Sequence, residues 1–400
     1  MRFDLPRAVS QAMGMLEAAG FPAYAVGGCV RDRVLGVIPH DYDITTAASP
    51  GEMQRVFAGE RTVETGLRHG TLTVILDGMP IEITAFRVDG AYLDGRHPAS
   101  VTFTRRVEED LARRDFTINA MAYSPGRGLI DPFGGEADCK QGIIRCVGDA
   151  EMRFEEDSLR ILRALRFSAR LGFPIEEGTA RAIRRGQAGL RRISRERIAA
   201  ELNGLLTGEH AGSVLAAYPD VLWTALDLPS SAAEDAAWAN AFRALDAAPR
   251  DLAVRWAILL LPAAEQSGDI LSGLKMPNKL TDTVRALTAW ASRPLTESGL
   301  QEALMRLGPE VLEKRIALGQ AIPPAKAAED AERLRSGLAR LLSEDACYTL
   351  RQLAVKGEDL TALGCRGPEI GRKLEGLLLR VVRHELPNEK DALLRAAAAE

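Results

Sequence analysis

A chain of 400 residues with 46% apolar content can bury a substantial core, and its length suggests two to four domains. Its formal net charge of −4 excludes a globally basic nucleic-acid binder but leaves room for a local basic face. Five cysteines without any Cys-x-x-Cys spacing argue against a zinc ribbon or disulfide framework. The longest apolar run, Trp256 to Leu261, is far too short for a bilayer, so a cytoplasmic chain with no membrane partner is expected.

Val9, Met13 and Leu16 fall at helical spacing and predict an opening helix. Ala23–Val26, Tyr42–Thr45, Thr71–Leu76 and Ile81–Arg87 read as strands from alternation and β-branched content. Pro50-Gly51 opens a short helix, and Asp77-Gly78 between two strands predicts a hairpin turn. Beyond Val147 strand signals almost vanish, and Ala, Leu, Arg and Glu recur at helical period. The expected fold is an α/β head over residues 1–147, followed by all-α neck (148–207), body (208–295) and tail (296–400).

Asp41-Tyr42-Asp43 stands at the start of a predicted strand, where side chains two apart share a face. Two carboxylates held that close suit Mg²⁺, which prefers carboxylates, waters and substrate phosphates. A bare Asp-x-Asp is also an ordinary solvated turn, so context decides. Upstream, Ala25-Val26 runs into Gly27-Gly28 and then into a helix opening that carries Arg31. Such glycines let a backbone approach a phosphate closely, and Arg31 adds a charged contact for a triphosphate. Gly28, Arg31, Asp41 and Asp43 are therefore candidate nucleotide, metal and catalytic residues. Glu82, on the strand Ile81–Arg87, is either an additional carboxylate of that site or an outward residue of a half-exposed strand.

Arginine greatly outnumbers lysine and clusters between Arg153 and Arg197. The segment from Phe154 to Phe167 predicts a single helix, with Ile161, Leu162, Leu165 and Ala169 on one face. Arg160, Arg163, Arg166 and Arg170 occupy the other, with Asp157 one turn before Arg160. One reading is a solvated face with an Asp157–Arg160 pair. The other is chemical: an accepting aspartate and a donating arginine fixed together complement the pairing edges of cytosine and adenine. Uracil and guanine present the reverse pattern.

These segments resemble the class II tRNA nucleotidyltransferases, or CCA-adding enzymes, which share a family with bacterial poly(A) polymerases. GGCVRD (Gly27–Asp32) with DYD (Asp41–Asp43) resembles the family's catalytic motif. RRDFTINAMAY (Arg113–Tyr123) resembles its ribose-reading motif and implies that Arg113, Arg114, Asp115 and Asn119 touch sugar and phosphate. DPFGG (Asp131–Gly135) is similar to the hinge between head and neck. EDSLRILRALRF (Glu156–Phe167) resembles the amino-acid template, which implies Asp157 and Arg160 as base readers, with Arg163 and Arg166 as further nucleotide contacts. ISRERIAAE (Ile193–Glu201) is similar to the motif that supports that helix.

The resemblance implies untemplated addition of C, C and A from CTP and ATP to the 3′ end of tRNA, held at its 3′ end and acceptor stem. It also implies Mg²⁺-dependent chemistry that releases pyrophosphate. GLRHGT (Gly66–Thr71) and the polar loop Gly90–Ser100, with Asp94 and Arg96, favour this over polyadenylation. A poly(A) polymerase, an enzyme adding only CC or only A, and a non-catalytic RNA-binding module on a degenerate scaffold remain alternatives. The five histidines are scattered, so no phosphohydrolase site is expected.

Overall fold

The alternating runs of the first third of the chain pair into one mixed sheet. The computed structural model describes residues 3–64, 66–67, 70–90, 100–229, 236–322 and 327–399. Two compact units divide the chain, Met1–Ala233 and Glu234–Glu400. In the first, helix α1 (Arg7–Ala18) buries Val9, Ala12, Met13 and Leu16 at the predicted spacing. Strand β1 (Ala23–Val26) leads through Gly27 into α2 (Gly28–Val34), and β2 (Asp43–Thr46) and α3 (Pro50–Val56) follow. Strands β3 (Arg61–Val63), β4 (Thr71–Leu76) and β5 (Met79–Ala85) extend the sheet on one side. On the other side lie β8 (Ala122–Ser124) and β9 (Gly128–Ile130), giving the order β3-β4-β5-β2-β1-β8-β9.

Only β2 and β5 run parallel; every other neighbouring pair is antiparallel. Their register sets Asp43 beside Glu82. Asp77 and Gly78, both at positive φ, make the expected hairpin between β4 and β5, since a two-residue turn of this hand matches the twist of its strands. The core is formed by inward residues of alternating strands, including Ile44, Leu72, Val74, Ile81 and Ile83.

A separate ribbon joins β6 (Arg87–Asp89) to β7 (Val101–Phe103), and Gly90 N–H donates to the Ser100 carbonyl at 2.8 Å. Phe103 rests on Gly70, where a Cβ would come within 2.9 Å of its ring. Asp94 and Arg96 of the expected loop, and Arg68 and His69 of GLRHGT, lie outside the described residues.

Helices α4 (Val107–Ala112), α5 (Gly135–Gln141), α6 (Ala150–Glu156), α7 (Leu159–Leu171), α8 (Glu177–Gly186), α9 (Arg195–Leu206), α10 (Ala211–Ala217) and α11 (Pro219–Leu226) complete the first unit. The DPFGG segment caps α5: Asp131 accepts from the backbone N–H groups of Gly135 and Glu136 at 2.7 and 2.9 Å. No named strand follows Ile130 among the described residues.

The single helix expected from Phe154 to Phe167 is corrected by the structure, because α6 and α7 are separate. Asp157 between them is extended (φ −146°, ψ 100°), and its carboxylate accepts from Leu159 N–H at 3.1 Å. Ser158 Oγ donates back to the Phe154 carbonyl at 3.0 Å. A short acidic side chain that caps the next helix competes with continuation of the previous one, and here the cap wins.

The named elements of the second unit are all helices among its described residues. Its longest helix, Leu300–Ala321, is broken at Gly308 (φ 72°) before Pro309, which cannot donate to the helical ladder. Leu300, Leu304, Leu312, Ile316, Leu334 and Leu338 form one core, while Leu353, Val355, Leu360, Leu377 and Leu393 belong to another. No helix among the described residues is long and apolar enough to cross a membrane.

Candidate active site

Gly27 takes φ 77°, a backbone conformation that a side chain disfavours. A Cβ there would also approach Arg114 Nη1 to 3.2 Å, so glycine lets the turn and the arginine sit close together. The turn opens into a cleft of about 300 Å³. Of the predicted residues, Gly28, Arg31, Asp41, Asp43, Arg114, Asp115, Asn119 and Arg163 line it, joined by Gly27, Cys29, Asp32, His40, Phe167 and Arg170. Arg113, Asp157, Arg160 and Arg166 are not among its lining residues.

Asp41 and Asp43 are exposed while Tyr42 between them is buried, although β2 begins only at Asp43 and Asp41 stands just before it. Desolvation raises the Asp43 carboxyl above its ordinary range. Glu82 and Asp41 add to that rise, and Arg114 opposes it. The carboxylate whose role the sequence leaves open is thus a registered neighbour of Asp43, and its charge acts on the same group. Cys29 also lines the cleft, but burial pushes its thiol up to about 11, so it stays protonated at neutral pH.

Arg31 is buried and held on one side by Asp32 at 2.7 Å and by Asn119 Oδ1 at 2.8 Å. Asp115 is buried too, and burial alone would raise its carboxyl. Arg163 donates to it twice, at 2.8 and 2.6 Å, outweighs that effect and holds the group below the usual carboxylate range. Phe116 N–H and Asn119 Nδ2 add bonds at 2.8 and 3.2 Å. The RRDFTINA segment and α7 are therefore joined by a partly buried ion pair.

Arg160, Arg163 and Arg166 of α7 are not a solvated face, whereas Arg170 is exposed. Arg160 is 8% exposed; it donates to Glu156 at 2.6 Å and to the Arg153 and Arg113 carbonyls at 3.0 Å each. Asp157 pairs with Arg197 of α9 at 2.7 Å rather than with Arg160. Arg166 donates to Glu201, also on α9, at 2.6 Å. ISRERIAAE thus braces the Glu156–Phe167 segment with one charge of each sign, and Asp157 and Arg160 are fixed by different partners.

Sequence reasoning misses Asp110. It is fully buried and accepts from Arg113 at 2.9 and 2.8 Å, from Arg114 at 3.3 Å and from Thr45 Oγ1 of β2 at 3.2 Å. Burial alone would raise its carboxyl, but Arg113 and then Arg114 bring it below the ordinary range. The available signal is its spacing of three and four residues before Arg113 and Arg114 on one helical turn. Phe167 is missed as well, though it follows Arg163 by four.

A sheet whose parallel pair sets Asp43 beside Glu82, next to a glycine turn and a bank of anchored arginines, defines a nucleotidyltransferase head. Three family descriptions agree: "Poly A polymerase head domain" over residues 23–145, "Probable RNA and SrmB- binding site of polymerase A" over 172–217, and "tRNA nucleotidyltransferase domain 2 putative" over 249–397. The chain is 39% identical over 395 residues to the CCA-adding enzyme of Latilactobacillus sakei subsp. sakei (strain 23K), covering 96% of this chain and 95% of that one. It is 38% identical over 394 residues to that of Geobacillus stearothermophilus, with the same coverage. A solved structure, the Bacillus stearothermophilus CCA-adding enzyme in complex with CTP, superposes with a TM-score of 0.84 at 34% identity, covering 98% of this chain and 96% of that chain. The chain belongs to the CCA-adding enzyme family of nucleotidyltransferases.

Proposed function

We propose that this enzyme adds C, C and A, without a nucleic-acid template, to the 3′ end of tRNA, taking CTP and ATP and releasing pyrophosphate. The reading rests on one observation above the rest. The glycine turn, the carboxylate pair and an α7 arginine line a single cleft in a chain related to CCA-adding enzymes over almost its whole length. In the reaction the terminal ribose 3′-oxygen attacks the α-phosphorus of the bound nucleotide. The bond to the β-phosphate breaks, and pyrophosphate leaves in line.

Enzymes of this family use a divalent metal ion, and we assign Mg²⁺ here. Asp41 and Asp43 fit it: two exposed carboxylates lining the cleft, one of them raised by desolvation and then by its acidic neighbours, would hold such a cation. Among the described residues no group of three or more His, Cys, Asp or Glu forms a ready-made cage. That suits Mg²⁺, which completes its shell with water and substrate phosphates. When bound, the ion favours the ionised 3′-hydroxyl and offsets charge on the leaving pyrophosphate.

Gly28 and Arg31 hold the triphosphate. Arg113, Arg114, Asp115 and Asn119 address ribose and phosphate. Asp157 and Arg160 read the base edge, with Arg163 and Arg166 as further nucleotide contacts. For base reading, Asp157 and Arg160 turn part of the hydrogen-bonding capacity that Arg197 and Glu156 occupy toward the neutral edge of the base. Residues 1–147 serve as head, 148–207 as neck, 208–295 as body and 296–400 as tail, the last binding tRNA at its acceptor end. Five free, buried cysteines suit the reducing cytoplasm.

The test extends a tRNA lacking its 3′ end with each nucleotide in turn and with CTP and ATP together, then sequences the products. Convergence on three added residues is expected. A ladder of long A tails would replace this reading with polyadenylation, and absence of metal-dependent incorporation would leave only an RNA-binding module.

A further inference from the structure

Three guanidinium groups converge on one aromatic ring in the cleft. The carbon centre of Arg31, from α2, lies 5.4 Å from the Phe167 centroid; those of Arg163 and Arg166, from the same helix as Phe167, lie at 5.5 and 4.5 Å. The ring is 6% exposed, lines the cleft, and is held edge-on by Phe116 at 5.8 Å and 78°. Each of the three arginines has a carboxylate partner: Asp32 for Arg31, Asp115 for Arg163, Glu201 for Arg166.

Like charges gathered round one point repel, and in a partly desolvated cleft that repulsion is weakly screened. The negative face of an aromatic ring attracts guanidinium groups without accepting a conventional hydrogen bond from them. A leucine of similar bulk would fill the same space and supply none of that attraction. Two of the three, Arg31 and Arg163, line the nucleotide cleft.

We propose that Phe167 is a positioning residue for nucleotide binding: its π face holds Arg31 and Arg163 in register for the incoming triphosphate. It does so across two elements, the phosphate turn with its helix α2 and the arginine helix α7. The inference rests on the cleft being the nucleotide site, as proposed above.

The experiment compares Phe167 with Phe167→Tyr, Phe167→Leu, and para-fluoro-, difluoro- and trifluoro-phenylalanine at the same position in the full chain. Stepwise fluorination drains the ring's face while nearly preserving its shape. Equilibrium CTP binding is measured directly by calorimetry, alongside KM and kcat on tRNA lacking its 3′ end, with a thermal melt for each variant. Loss of a partly buried cation–π contact corresponds to roughly a 3- to 30-fold change.

The expected result is CTP affinity that weakens step by step with fluorination, to about 10-fold at trifluoro-phenylalanine, with Phe167→Tyr close to the parent, Phe167→Leu at least as weak, and melting of the fluorinated forms unchanged. KM should carry most of the change and kcat little. A flat fluorination series, or Phe167→Leu binding CTP within twofold of the parent, would overturn the proposal by reducing the ring to filler. If the parent bound CTP but incorporated none into tRNA, the enzymatic reading would fail. The graded series would still decide the role of Phe167.

Discussion

Replacing Asp110 by Asn tests whether Arg113 and Arg114 are held by a buried carboxylate. The substitution keeps shape and removes charge. It takes away the carboxylate that faces Arg113 twice, Arg114 once and the Thr45 hydroxyl of β2. Breaking a buried ion pair from one side costs about 3–5 kcal/mol. The side chains of Arg113 and Arg114 retain 18% and 20% exposure, so water recovers part of that loss and about 2–3 kcal/mol is the expected local cost. With two compact units a single melting curve mixes transitions, so hydrogen exchange is the better assay. Peptides covering β2 and α4 should exchange about 30- to 150-fold faster in Asp110→Asn, at 1.36 kcal/mol per decade. The folded carboxyl is depressed, so its stabilisation is present above the unfolded value of about 3.9 and is lost as pH falls through the lower folded value. The gap between parent and variant should therefore persist at neutral pH and close only below about pH 4. Exchange within threefold of the parent at pH 7, with KM for CTP unchanged, would refute the argument.

Asp41→Ala or Asp43→Ala should abolish nucleotide incorporation while leaving tRNA binding and thermal melting near the parent's, because both side chains are exposed; near-normal turnover at saturating Mg²⁺ would remove that residue from the reaction. Asp43 must be ionised to hold a cation, and its raised carboxyl means that activity is gained as pH rises through the folded value. Glu82→Gln removes one of the charges that raises it, so the acid limb of the kcat/KM profile should move to lower pH; an unmoved limb would separate Glu82 from Asp43. Arg160→Ala should impair C and A addition and narrow the preference over U in a four-nucleotide competition. Unchanged preference with uniformly weaker tRNA binding would return Arg160 to a bracing role.

The sequence by itself determines the parts whose physics is local. Alternation and β-branching locate β1 and β4, Asp77-Gly78 fixes its hairpin, and Pro50 opens α3. Asp41 and Asp43 are exposed on either side of buried Tyr42 and line one cleft, and Gly27 suits a turn that needs positive φ. Short-range rules also mislead where a neighbour outside the window intervenes. Helical periodicity runs unbroken through Asp157, yet Arg197 on α9 draws its side chain away and Leu159 N–H uses it as a cap. The arginines of α7 look like a solvated stripe until Asp115, Glu201 and Glu156 arrive from other elements to neutralise them. Only the tertiary structure could place Glu82 beside Asp43, since strand register is a pairing of segments about forty residues apart. Arg113, Arg114 and Arg163 lie within a helical turn of Asp110 or Phe167 and are legible in the chain. Thr45 at Asp110 and Arg31 at Phe167 are brought there by the fold alone, because such distant partners leave no period.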